Sequence, residues 1–293
     1  MKYLSIFFVL FCSLSLSAQE AKYYETEEGN KHLCGPFSIS DLSKDSLFAK
    51  WYTESYNEFE LSRKNNDWIS ELKETQVDIY MGTWCGDSKE WVPKFVKLWD
   101  ELGLSRSQLN FIALYDGEER YKQGPNGEEK GKNIHRVPTF IFKRQNEEYA
   151  RIVESPRNSL EVDVAQIALG YPSEPNYKGA TFLINVLKEE GLEEIYSNMR
   201  KYANKAYRLV GSSKELNTLG YVYLRAGQTP EAHLMFYLNT YFFPYDPNVY
   251  DSFGEILALQ GENEEAIKNY EKVLSLDPDN ENAKKQIELL KNL

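Results

Sequence analysis

Cysteine is scarce in this chain: Cys12, Cys34 and Cys85 are the three among 293 residues. So few cannot build the disulfide framework of a small secreted scaffold. Histidine is equally scarce, at three residues. The spacing of His32, Cys34, Cys85 and His135 fits no metal motif, so His32 and His135 read as surface residues and no metal is expected. Positive charge is deficient, with 34 Lys and Arg against 45 Asp and Glu and a formal net charge of −11. That balance argues against nucleic acid and anionic membrane surfaces as partners. Beyond the first twenty residues no apolar run is long enough to span a membrane. Glycine-rich phosphate loops, paired catalytic carboxylates and a Ser/His/Asp constellation are also missing, and no cofactor is expected.

The N-terminus has a recognisable pattern. Lys2 supplies one positive charge, Leu4 to Leu16 is apolar apart from small serines, and Ser15-Leu16-Ser17-Ala18 offers small residues for cleavage. Residues 1–18 therefore read as a signal peptide, with an uncleaved signal anchor as the alternative. Phe11 is too bulky before Cys12 for a lipoprotein site. The expected destination is a bacterial periplasm or the exterior, with no membrane insertion after cleavage. Cys34 and Cys85 then remain, and the sequence leaves open whether they pair.

The most informative stretch is Trp84-Cys85-Gly86-Asp87-Ser88. Before it, Gln76 to Met81 reads as a buried strand; after it, residues 87–103 read as a helix with Val92, Phe95, Val96 and Trp99 on one stripe. Cys85 thus sits where a strand hands over to a helix. Unpaired N–H groups and the helix dipole favour a thiolate there. Pro93 follows within the helix, and Val137-Pro138 opens a second apolar strand at Thr139. The expected order is strand 76–81, helix 87–103, strand 109–115, strand 139–143, strand 149–153 and helix 159–169. Upstream, Ser43 or Asp45 is expected to cap a helix through Phe48, Trp51, Tyr52 and Tyr56, and Asp67 to Lys73 to form a short helix. Residues 116–133, polar and glycine-rich, read as an exposed loop bordering the same face.

These landmarks, at these spacings, resemble the thioredoxin family over about residues 70–170. The resemblance implies a central sheet with helices on both faces. It implies a nucleophilic Cys85 and a cis-proline at Pro138 facing it, with Trp84, Gly86, Asp87, Val137 and Pro138 as the substrate-contacting wall. Three departures matter. Ser88 stands where the second cysteine would be, so it can donate a hydrogen bond to a thiolate but cannot expel a bound substrate. The position of the buried family carboxylate is Ile79, while Asp78 points to the other face of the strand. Asp87 lies beside Cys85, and its charge disfavours the thiolate. The chemistry left is monothiol exchange, isomerisation or capture, resolved by an external thiol or by Cys34.

Gly170 to Asn176 is rich in proline, glycine and small polar residues and reads as a linker at 171–178. A repeat of period 34 follows. Leu219, Gly220, Tyr223, Gly227, Ala232, Phe236, Pro244 and Asp246 have counterparts at Phe253, Gly254, Leu257, Gly261, Ala266, Tyr270, Pro278 and Asn280. This resembles the tetratricopeptide (TPR) repeat. Repeats at 213–246 and 247–280 are expected, with a capping helix at 281–292 and a degenerate helical pair over 180–210. The expected fold class is thus an α/β thioredoxin-like domain at 19–170 followed by an all-α repeat module at 179–293. The expected function is thiol–disulfide exchange on protein thiols or disulfides, with the repeats binding a protein partner. The alternative is a protein-binding scaffold with a redox-inactive domain.

Overall fold

The computed structural model describes residues 21–62, 67–117 and 119–292. The expected signal peptide and Cys12 lie outside them. Among the described residues, one six-stranded sheet and twelve α-helices form. The sheet comes first. Strands β1 (Lys22–Glu25) and β2 (Lys31–Phe37) make an antiparallel hairpin whose turn places Gly29 at φ +82°. Helix α1 (Ile39–Lys44) and helix α2 (Ala49–Glu58) follow. Ser38 caps α1 in a reciprocal box with Asp41, and the Ser43 or Asp45 cap expected for the next helix does not form. Residues Ala49 to Glu58 start without any side-chain cap. The stretch Asp67–Leu72 is a 3₁₀ turn.

Strand β3 (Gln76–Met81) leads to helix α3 (Gly86–Glu101). Strands β4 (Leu109–Ala113), β5 (Thr139–Arg144) and β6 (Glu147–Val153) complete the sheet, and helix α4 (Leu160–Ala168) closes this part. The strand order is β1-β2-β4-β3-β5-β6. Strands β3 and β4 run parallel, and every other neighbouring pair is antiparallel. The hairpin at the β4 edge was not expected. Gly35 and Pro36 inside β2 disguise it, since both residues ordinarily weaken a strand. On one face of the sheet Phe95 and Trp99 of α3 meet Phe140 and Phe142 of β5, with Phe95 and Phe140 centroids 4.6 Å apart. All four are fully buried, and each such burial is worth about 1.5–3 kcal/mol.

The expected linker is ordered. The Asn176 amide donates to the carbonyls of Val153 at 3.4 Å and Ser155 at 3.0 Å. Ser173 donates to Gln166 at 2.7 Å and to the buried Asp163 at 3.2 Å. Helices α5 (Lys178–Glu189), α6 (Leu192–Ser197) and α7 (Met199–Tyr207) then pack with α8 (Ser213–Arg225) and α9 (Thr229–Phe242) around one buried cluster. Helices α10 (Pro247–Leu259), α11 (Asn263–Leu276) and α12 (Glu281–Lys291) extend the stack. Close approach within pairs depends on absent side chains. A Cβ on Gly220 would lie 2.6 Å from the Phe236 ring, and one on Gly254 would lie 2.9 Å from Tyr270. Gly227 and Gly261 turn each pair at φ +75° and +80°.

Candidate functional site

Cys85 is the N-cap residue of α3, with extended backbone (φ −82°, ψ 129°). It therefore sits at the end of α3 where the first-turn N–H groups have no partner within the helix, although its side chain makes no cap hydrogen bond. The thiol donates to the Val137 carbonyl at 3.2 Å and lies 3.9 Å from the Asp87 carboxylate. The Val137–Pro138 bond is cis. Loss of the thiol proton would turn both contacts repulsive, and the helix N-terminus would act in the opposite sense. Gly86 and Asp87 are exposed, whereas Val137 and Pro138 are buried beneath the sulfur.

Ser88 is fully buried, and its Oγ accepts from the Gly82 N–H at 3.2 Å. No hydrogen bond joins it to Cys85 among the described residues, in contrast to the donor role expected from sequence. Its position one turn into α3 aims the hydroxyl at the end of β3. Gly82 has a second task. A Cβ there would lie 2.4 Å from the Trp84 indole, which crosses above it to donate Nε1–H to the Leu114 carbonyl at 2.9 Å. Trp84 is thereby held beside the sulfur. Cys34 and Cys85 are both free. Cys34 is buried in β2, and β4 lies between β2 and β3. Asp78 is nearly buried, bound by Lys143 at 2.6 Å and by Asn110 at 2.9 Å.

The loop at 116–133 folds back on this face, and part of it is buried rather than exposed. Tyr115 and Lys122 are joined by backbone, and the Trp84 and Tyr121 ring centroids are 6.3 Å apart. Lys122 is only 4% exposed, and its ammonium donates to the Tyr121 hydroxyl at 2.6 Å. Burial, helped by the nearby charge of Arg136, lowers the Lys122 pKa to about 7; Cys85, Glu154 and Asp116 act against that shift. Sequence reasoning missed this residue, and a lysine in a polar loop carries no signal of burial.

Arg136, adjoining Val137, pairs with Glu154 at 3.5 Å and stacks on Tyr177 with its guanidinium carbon 4.4 Å from the ring centroid. Tyr177 also donates to Glu154. Burial raises the Glu154 pKa and Arg136 opposes the shift. His135 is a correction to the surface reading: it is 3% exposed, with the Tyr177 ring edge-on at 5.9 Å. Its Nε2 has no hydrogen-bond partner, and burial lowers its pKa to about 3. The segment entering β5 is covered by residues at the start of α5, a tertiary contact that local sequence does not announce. Two hydrogen bonds tie the face to the following helices: Gln123 Nε2 to the Arg225 carbonyl at 2.5 Å, and Arg136 to the Lys214 carbonyl at 2.9 Å.

A family model described as TPR repeat matches residues 254–283. That segment runs from within α10, through α11, into α12, and overlaps most of the second expected repeat at 247–280. No curated protein matches the chain. Among solved structures, the second TPR domain of human RPAP3, in complex with an HSP70 peptide, is 17% identical and covers 39% of this chain and 92% of that one, at a TM-score of 0.28. The first TPR domain of human RPAP3 is 18% identical, covering 40% and 91%, at 0.28. The first TPR of Spaghetti (RPAP3), bound to an HSP90 peptide, is 18% identical, covering 39% and 91%, also at 0.28.

Proposed function

We propose that the protein is an exported thioredoxin-like protein that performs monothiol thiol–disulfide exchange through Cys85, with its TPR module holding a protein partner. The observation that carries this reading is the placement of Cys85: at the N-terminus of α3, with its sulfur 3.2 Å from the carbonyl before a cis-proline. The parallel β3–β4 pair flanked by antiparallel β5 and β6, with α3 leaving β3, supports the thioredoxin-like assignment. The pattern of residues 1–18 supports export. The division into two domains near residues 171–178 is supported by separate buried clusters on either side. TPR repeats are protein-interaction modules, and a stacked array offers an extended surface for a partner.

In the exchange, the Cys85 thiolate attacks one sulfur of a partner disulfide. A bond to Cys85 forms, the partner's S–S bond breaks, and the departing sulfur leaves as a thiolate that takes a proton from water. An external thiol then attacks the mixed disulfide and frees Cys85. The number of disulfides is unchanged at each step. With a hydroxyl at position 88 no internal thiol from α3 competes, so the mixed disulfide persists until that external thiol arrives. Val137 and Trp84 form the wall against which an extended partner segment would lie.

The test uses a small aromatic disulfide, 5,5′-dithiobis(2-nitrobenzoic acid). Cys85 is expected to react about tenfold or more faster than free cysteine at neutral pH, and Cys85→Ser to form no adduct. A Cys85 that never reacts overturns the exchange reading. One observation favours a second reading, a binding scaffold without chemistry: the Asp87 carboxylate stands 3.9 Å from the sulfur. A Cys85→Ala chain that retains all partner binding and cellular function would establish it.

A further inference from the structure

A cleft of about 410 Å³ separates the folded-back loop from the repeats. Asp116 and Tyr121 form one wall, and Asn217, Tyr221 and Arg225 of α8 with Glu255 of α10 form the other. Residues 217, 221 and 225 recur every four positions, so they share one face of α8. Tyr121 belongs to both places. It lines the cleft, and its ring lies 6.3 Å from that of Trp84, the residue next to Cys85. Through that ring contact the cleft adjoins the residue next to Cys85, and its volume is in the range of ligand clefts, about 300–1,000 Å³.

We infer that this cleft seats the polypeptide with which Cys85 reacts, as an extended segment flanking the target sulfur and carrying a basic side chain for Asp116. The inference rests on the exchange reading above. Most of the polar groups in the cleft are already engaged. Arg225 pairs with Glu255 at 3.2 Å, and Tyr221 donates to Glu255 at 2.7 Å. Among the groups left over in the described residues, two matter for a ligand. The Asp116 carboxylate, exposed on the loop, makes no ion pair or side-chain hydrogen bond. Asn217 Oδ1 is buried and has no hydrogen-bond donor. An extended chain supplies backbone N–H groups for the second and, with a lysine or arginine, a cation for the first. Of the nearby cations, Lys122 is buried on Tyr121 and Arg136 is held by Glu154 and Tyr177, so neither forms an ion pair with Asp116. An anionic ligand such as a nucleic acid would meet Asp116 and Asp87 unfavourably.

The experiment uses the full chain and three probes. One is 5,5′-dithiobis(2-nitrobenzoic acid). The other two are nonapeptides whose central cysteine is carried as a mixed disulfide with thionitrobenzoate, one with lysines and one with glutamates at the same flanking positions. Attack of Cys85 on the peptide sulfur releases thionitrobenzoate, and each peptide rate is divided by that chain's rate with the small disulfide. The lysine peptide is expected to react about tenfold faster than the glutamate peptide. Asp116→Lys should erase or reverse that preference, and Asn217→Ala should slow both peptides relative to the small disulfide. Equal rates for the two peptides, or a preference that survives Asp116→Lys, overturn the cleft inference and leave the exchange reading standing. Failure with the small disulfide as well overturns the exchange reading itself.

Discussion

Replacing Lys122 with methionine should stabilise the protein at neutral pH and remove a component of its pH dependence. The native pKa of Lys122 is held near 7, chiefly by burial, against an ordinary value of 10.5. The native state therefore releases this proton near pH 7, and the unfolded chain keeps it until about pH 10.4. Between those values the unfolded state binds more protons, so stability rises with pH, by up to about 1.4 kcal/mol per unit. Below pH 7 the penalty is fully present, and it amounts to about 5 kcal/mol at its limit. Methionine keeps the unbranched stem and sheds the charge, at the cost of about 1 kcal/mol for the hydrogen bond to Tyr121. Denaturant unfolding followed by tryptophan fluorescence isolates the relevant part of the chain, because all five tryptophans lie between residues 51 and 99. The stability of the native chain minus that of Lys122→Met should rise by about 3 kcal/mol from pH 7 to 9.5. The window stops short of the tyrosines, several of which burial raises above 10. A difference that stays constant across the window refutes the account, since it would mean that Lys122 keeps its charge in the folded protein.

His135 gives the mirror case in acid. Its native pKa, lowered to about 3 by burial, means that the stability from its neutral form is complete above pH 6.5 and drains away as pH falls towards 3. Native minus His135→Leu should fall by about 3 kcal/mol between pH 6.5 and 4, and parallel acid titrations of the two chains would contradict this. In the repeats, Gly220→Ala drives a methyl group to 2.6 Å from Phe236 and should cost about 1–3 kcal/mol of helical stability by circular dichroism. Gly86→Ala, with open space at its Cβ and no positive φ, should be neutral or stabilising by about 0.5–1 kcal/mol. Equal melting of the two glycine variants would count against tight packing between α8 and α9.

What could be read from the chain in advance follows from how local each signal is. The apolar alternation and runs at 76–81, 109–115, 139–143 and 149–153 mark strands without reference to anything distant. The glycines and alanines at period 34 announce helix pairs in the same way. The hairpin of β1 and β2 went unread because Gly35 and Pro36 break the strand pattern. The Gly29-Asn30 dipeptide at its tip, between polar alternating segments, was the available turn signal. At the site, Cys85 and Val137-Pro138 were legible because helix-start chemistry and an X-Pro step are written in adjacent residues. Lys122, Arg136, Glu154 and Tyr177 were not, because they come together only when β6, the loop and the start of α5 converge. Ser88 shows the same limit on a smaller scale. Its presence was plain, but the direction of its hydroxyl depends on the Gly82 amide, six residues away.

The hydrogen bonds of Ser173 and Asn176 have a consequence for kinetics. A flexible tether would let a partner held on the helices find Cys85 only by diffusion within a volume set by linker length, and the effective concentration would change slowly as residues were inserted. Here the connecting segment is fastened to the end of β6 and to α4, and Gln123 and Arg136 reach across to α8. If the protein works as proposed, the local concentration of a bound partner's sulfur is set by placement, as it is for two groups on one small molecule. Connector length becomes a matter of phase: one extra residue that frees Asn176 from the Ser155 carbonyl would shift the whole array, with an effect far larger than one residue of added reach.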